Sequence, residues 1–127
     1  MGCLLSTGHL ITSCLQESVN GRWFYAYLMG VAAQVKRSYQ VPLVLIVDNA
    51  SIHRSKQMVD WRKLLIQEYA TTLYFLPAYS PELNRIEMVW KRMKYNWRDF
   101  KVMKADQIEH WVGNISKGFG NEYMFTF

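Results

Sequence analysis

Residues 41–50 read VPLVLIVDNA. Pro42 closes whatever precedes it, because proline cannot continue a helix and biases the residue before it towards extended backbone. Leu43 to Val47 is an unbroken apolar run rich in β-branched side chains. That is the pattern of a strand buried on both faces of a parallel sheet. Asp48 ends the run, at the carboxyl end of the strand, where open α/β sheets gather their ligands.

Working outward, TTLYFLP (71–77) reads as a second strand. Parallel neighbours need a crossover, and residues 54 to 69 supply a helical pattern with Met58, Trp61, Leu65 and Tyr69 on one side. Upstream, Phe24, Tyr27, Leu28, Val31 and Val35 recur at helical spacing up to about Arg37, with Asn20 as N-cap. Before them, CLLS (3–6) and HLITSCLQ (9–16) read as a hairpin around Gly8. Downstream, Ile86, Trp90, Met93 and Trp97 mark a strongly amphipathic helix. A weaker one runs through Ile108, Trp111, Val112 and Ile115 until Gly118 and Gly120 break it. The order is strand, strand, helix, strand, helix, strand, helix, helix, which predicts an α/β fold in a single domain, residues 1–127.

Composition narrows the function classes. Half of the chain is apolar and 15% aromatic, which argues against disorder. No stretch approaches the roughly 20 apolar residues of a membrane span. The start has no signal-peptide layout, so the expected location is the cytoplasm. Met1-Gly2 also fits a myristoylation start, but a strand through CLLS is the preferred reading. Cys3 and Cys14 flank the Gly8 turn and are expected as free thiols that could face each other across the hairpin. There is no Gly-rich phosphate loop, CxxC pair or GxSxG elbow.

Charge is concentrated. The net +5 of the whole chain is matched by residues 85–104 alone, where seven lysines and arginines face only Glu87 and Asp99. Such a face suits a polyanion, nucleic acid first, and equally suits a solvated helix surface.

Three positions carry candidate chemistry. Asp48 can bind a divalent cation through hard oxygens, or, with Asn49 and Ser51, simply shape a turn and cap the next helix. Glu87 stands three residues after Asn84, the spacing of a capping box. At about 100° per residue, Glu87, Lys91, Lys94 and Arg98 also share a strip bordering the apolar stripe, which suits a metal held beside phosphate. His53 either contacts water or phosphate as an auxiliary group, as Asn49 could, or is structural. His9 and His110 have no partners at metal-ligand spacing.

VDNASIH (47–53) followed by LPAYSPELNRIEMVWKRMK (76–94) resembles the catalytic domain of DDE transposases of the mariner-like superfamily, in its bacterial insertion-sequence branch. The resemblance extends from about Gly2 to Phe127. It implies a ribonuclease-H-like fold and a two-ion site for Mg²⁺ or Mn²⁺ built by three carboxylates. Asp48 matches the second and Glu87 the third. It also implies strand cleavage by water and joining by a DNA 3′-hydroxyl, with transposon ends and target DNA as partners. Lys91, Lys94 and Arg98 would hold the DNA backbone.

The sequence departs from the family pattern in three places. Arg85 stands where the family usually has proline, and the 39 residues from Asp48 to Glu87 are a slightly long separation. The first catalytic Asp, on a strand ahead of the hairpin, has no counterpart, since Glu17 is the one acid before Asp48. The expectation is therefore a fold lacking its first catalytic strand and inactive by itself. The alternative is a non-catalytic DNA-binding or dimerising fragment that associates with itself or with a full-length transposase. A different metal nuclease would need a third acid near Asp48, and Asp60, Glu68 and Glu82 do not fall at strand ends.

Overall fold

The computed structural model describes residues 1–50, 58–97 and 104–123, without the side chains of Asn96 and Trp97. In chain order the elements are β1 (Gly2–Leu4), β2 (Leu10–Thr12), α1 (Gly21–Tyr39), β3 (Leu43–Val47), α2 (Val59–Tyr69), β4 (Thr71–Phe75), a 3₁₀ turn (Pro81–Leu83), α3 (Ile86–Trp97) and α4 (Ala105–Gly118). This is the expected order. The elements sort into two compact units, Ser18–Asn84 and a second made of Met1–Glu17 with Arg85–Phe127.

In the first unit, β3 and β4 pair in parallel, Leu43 opposite Thr71 through Val47 opposite Phe75. Leu43 N–H to Ala70 O and Leu76 N–H to Val47 O extend the ladder at both ends. α1 starts where expected: the Asn20 side chain accepts the Trp23 N–H at 3.0 Å, replacing a bond that the first helical turn cannot supply. It ends on Gln40 in left-handed backbone, φ 54°, whose N–H reaches Lys36 O. Phe24, Leu28, Val31, Ala32 and Val35 form its buried stripe, and Tyr25 is fully enclosed. α2 ends on left-handed Ala70, and Lys36 caps it from α1. The Lys36 ammonium donates to Glu68 O at 2.6 Å and lies 5.8 Å from the Tyr69 ring centroid. A cation there complements the helix C-terminus.

One expectation fails in this unit. Leu45 and Val47 are buried, but Val44 and Ile46 are 64% and 60% exposed, beside exposed Tyr74 on β4. The strand is covered on one face only. Successive strand side chains alternate between faces, and an all-apolar run does not reveal whether both faces find partners.

The second unit joins the β1–β2 hairpin to α3 and α4. Register pairs Gly2 with Thr12, Cys3 with Ile11 and Leu4 with Leu10. Gly8 takes φ +87° in the turn, a conformation that disfavours any side chain. The core is Leu10, Val89, Met93, Val112 and Phe119, flanked by half-buried Leu4, Ile86, Trp90, Trp111 and Ile115. The centre of the α3 stripe is thus Val89 and Met93 rather than Ile86 and Trp90, while Trp97 lies outside the described side chains. Ile108 of α4 is 39% exposed, so its buried stripe is narrower than the sequence pattern. Ser116 Oγ donates back to Val112 O at 2.6 Å and meets Thr12 Oγ1 at 3.0 Å, tying α4 to β2.

Gly2 sets the approach of β1 to α3. A Cβ at Gly2 would lie 2.5 Å from the Trp90 ring, closer than any real contact. Gly2→Ala is therefore expected to push Trp90 off its seat and destabilise this unit by about 1–3 kcal/mol. A lowered melting temperature, with a changed near-UV signal from tryptophan, checks it.

The cysteines do not face each other, because Ile11 occupies the position across from Cys3, and both thiols are free. Burial pushes the Cys3 thiol from 9.0 up to about 11, while Cys14 is exposed. Above pH 9 the unfolded chain loses this proton and the folded chain keeps it. The Cys3 contribution to stability is therefore full below pH 9 and is lost as pH rises towards 11. Titration with a disulfide reagent at pH 8 should label one thiol, Cys14, in the native chain and two after denaturation. Equal labelling of both native thiols would contradict the burial of Cys3.

Candidate metal and DNA-contacting residues

Asp48 follows the last residue of β3, and its side chain is exposed at the strand's carboxyl end. One carboxylate oxygen, Oδ1, accepts the Ala50 N–H at 3.1 Å. The turn-shaping role is thus present. Asn49, next in the chain, is half-buried, and its Oδ1 is enclosed without a hydrogen-bond partner among the described residues. An orphaned buried acceptor costs roughly 1–3 kcal/mol, so this oxygen lacks the partner that burial calls for. A carboxylate followed by an amide oxygen is a hard-oxygen donor pair, the ligand type that Mg²⁺ and Mn²⁺ take. In that respect the residues fit such an ion. Ser51 and His53 lie outside the described residues.

Glu87 belongs to the other unit. α3 begins at Ile86, one residue later than a capping box from Asn84 requires, so Glu87 is the second helical residue. Asn84 instead closes the preceding 3₁₀ turn, its N–H donating to Pro81 O at 3.0 Å. No bond from the Glu87 carboxylate to the Asn84 backbone forms. The physical reason is the Pro81–Leu83 turn, which uses the Asn84 N–H that the box would need. Among the described residues, the Glu87 side chain makes no hydrogen bond or ion pair.

Along the same helix face, Glu87, Lys91, Lys94 and Tyr95 line a shallow groove of about 390 Å³. Lys91 and Lys94 are exposed and make no ion pair among the described residues. The lysine strip expected from helical spacing is therefore real as far as Lys94, and Arg98 lies outside the described residues. Tyr95, 63% exposed, was not singled out from the sequence. Its signal was present, four residues after Lys91, but an aromatic in an amphipathic helix reads first as core.

Among the described residues, no three His, Cys, Asp or Glu side chains gather into a group that could hold a metal. Asp60 sits in the first turn of α2, where it pairs with Lys63 at 3.7 Å, Glu68 near the end of α2, and Glu82 in the 3₁₀ turn. None is at a strand end, as expected.

The sequence profile of the family described as DDE superfamily endonuclease matches residues 1–109. This chain belongs to that family. The matched segment holds Asp48, Glu87, Lys91, Lys94 and Tyr95, and residues 110–127 lie beyond it. A relative from Sinorhizobium fredii (strain NBRC 101917 / NGR234), printed as "Uncharacterized protein y4pE/y4sA", is 41% identical over 61 residues, which cover 48% of this chain. The match spans 40% of that relative's length. No solved structure matches significantly. No helix among the described residues is long and apolar enough to cross a membrane.

In this chain of the DDE endonuclease family, then, the described residues offer two acids of different setting. Asp48 sits on a rigid strand end with one oxygen already oriented by backbone. Glu87 stands at the head of a basic groove with no structural partner.

Proposed function

We propose that this DDE endonuclease domain is the downstream part of a mariner-like transposase catalytic domain, of the bacterial insertion-sequence branch and ribonuclease-H-like in arrangement. It would act in the cytoplasm on transposon ends and target DNA. Asp48 serves as the second carboxylate of the triad and Glu87 as the third, both as ligands for Mg²⁺ or Mn²⁺. The observation that carries this reading is the place of Asp48. In a chain of this family, it stands at the carboxyl end of the parallel strand β3, beside the orphaned oxygen of Asn49.

The division of labour follows from the side chains. Asp48 and Glu87 supply hard, anionic oxygens. Bound ions, when present, activate the attacking oxygen and stabilise the leaving one in phosphoryl transfer. Lys91 and Lys94 neutralise backbone phosphates and so hold the strand in line. Asn49, and His53 five residues after Asp48, orient groups around the first acid. The triad's remaining carboxylate has no counterpart in residues 1–127. We assign it to a strand from outside these residues, or from another molecule such as a full-length transposase. Among the described residues, the two-stranded sheets each keep free edges that could take such a strand.

Mn²⁺ binding followed by electron paramagnetic resonance tests both ligands. Weak binding that is lowered in Asp48→Asn and in Glu87→Gln is expected. Binding that survives either change in full would remove that acid from the metal ligands. Residues 1–127 alone should leave supercoiled plasmid DNA intact in Mg²⁺, and metal-dependent nicking would refute the assignment of a missing carboxylate. Duplex binding should weaken with salt. Lys91→Ala and Lys94→Ala should each lower the slope of log affinity against log salt by about 1.

A further inference from the structure

Lys91 and Lys94 account for phosphate, but not for the aromatic ring beside them. Tyr95 lies two residues past buried Met93, so it leaves the core side of α3, and it is 63% exposed in the Glu87–Lys91–Lys94 groove. Its hydroxyl makes no hydrogen bond among the described residues. Glu87, Lys91 and Tyr95 follow one another at intervals of four, a single ridge roughly 12 Å long from acid to ring. A groove that combines ammonium groups without an ion pair among the described residues with an exposed ring has the two components of single-strand recognition. Cations track the phosphates, and the ring stacks on a base without regard to its identity. In a paired duplex, neighbouring bases cover both faces of each base, so a ring on the groove wall has nothing to stack on.

We propose that the α3 groove seats an unpaired nucleotide next to the strand held by Lys91 and Lys94, with Tyr95 stacked on its base. This rests on the reading that the substrate is DNA, and it adds that the DNA is opened where it meets α3. The exposed acid at one end of the ridge and the ring at the other would place the opened base beyond the phosphate nearest Glu87.

The test uses the whole chain and two probes, a fluorescein-labelled single-stranded mixed-sequence oligonucleotide and its duplex, with binding read by anisotropy at low salt. Tyr95→Ala should lose single-strand affinity by roughly 5- to 150-fold, the range for one stacked base, and keep duplex affinity. Tyr95→Phe should retain both, since the ring and not the hydroxyl does the stacking. Replacing one thymidine by 5-iododeoxyuridine should give a photo-crosslink that maps to Tyr95. An unchanged single-strand affinity in Tyr95→Ala, an equal loss on duplex, or crosslinks only at other residues would each overturn the proposal while leaving DNA binding itself intact. A folded chain, with Cys3 still protected, that binds neither probe would overturn the DNA reading and this proposal together.

Discussion

The parallel pairing of β3 with β4 is the constraint on which the Ser18–Asn84 unit depends. Two parallel strands cannot be joined by a tight turn, so the chain between them must cross over, and α2 makes that crossing. Once the register is set, the carboxyl ends of both strands fall at the same end of the sheet. Asp48 leaves one of them and the Pro77–Pro81 loop leaves the other. The helices fix this arrangement, α1 packing on β3, whose Leu45 and Val47 are buried, and α2 on β4, with Lys36 binding the end of α2 to α1. An acid at the end of a strand held in this way loses little orientation freedom when it meets a ligand.

In the other unit, the constraint is close approach. Gly2 lets the Trp90 ring lie directly on β1, and Val89 and Met93 then fill the space under the hairpin. That packing fixes which side of α3 faces away. Glu87, Lys91, Lys94 and Tyr95 are on the side left over, and their shared groove follows from the burial of the opposite face. The exposed charges therefore cost the core nothing. The helix is free to carry a basic, aromatic-edged surface because its apolar stripe is narrow and continuous.

The capping question at Glu87 illustrates how local chemistry yields to a competing local bond. Asn84 and Glu87 have the spacing of a capping box, yet the 3₁₀ turn Pro81–Leu83 takes the Asn84 N–H for itself. The helix then starts a residue later, and among the described residues the Glu87 carboxylate makes no hydrogen bond or ion pair. Asp48 shows the reverse, since it does shape its turn through the Ala50 N–H.

Most of the element order was legible in the sequence because periodicity is a local property. The all-apolar run Leu43–Val47, the stripes of α1 and α3 and the Gly8 turn each announce themselves within a few residues. The same locality made Asp48, Glu87, Lys91 and Lys94 visible as candidates. What the sequence could not supply depends on partners distant along the chain. Exposure of Val44 and Ile46, the shift of the α3 core to Val89, the orphaned Asn49 oxygen and the appearance of Tyr95 in the groove all follow from which surfaces find a neighbour. A side chain's type is written in the sequence, but its burial is decided only when another element comes to rest against it.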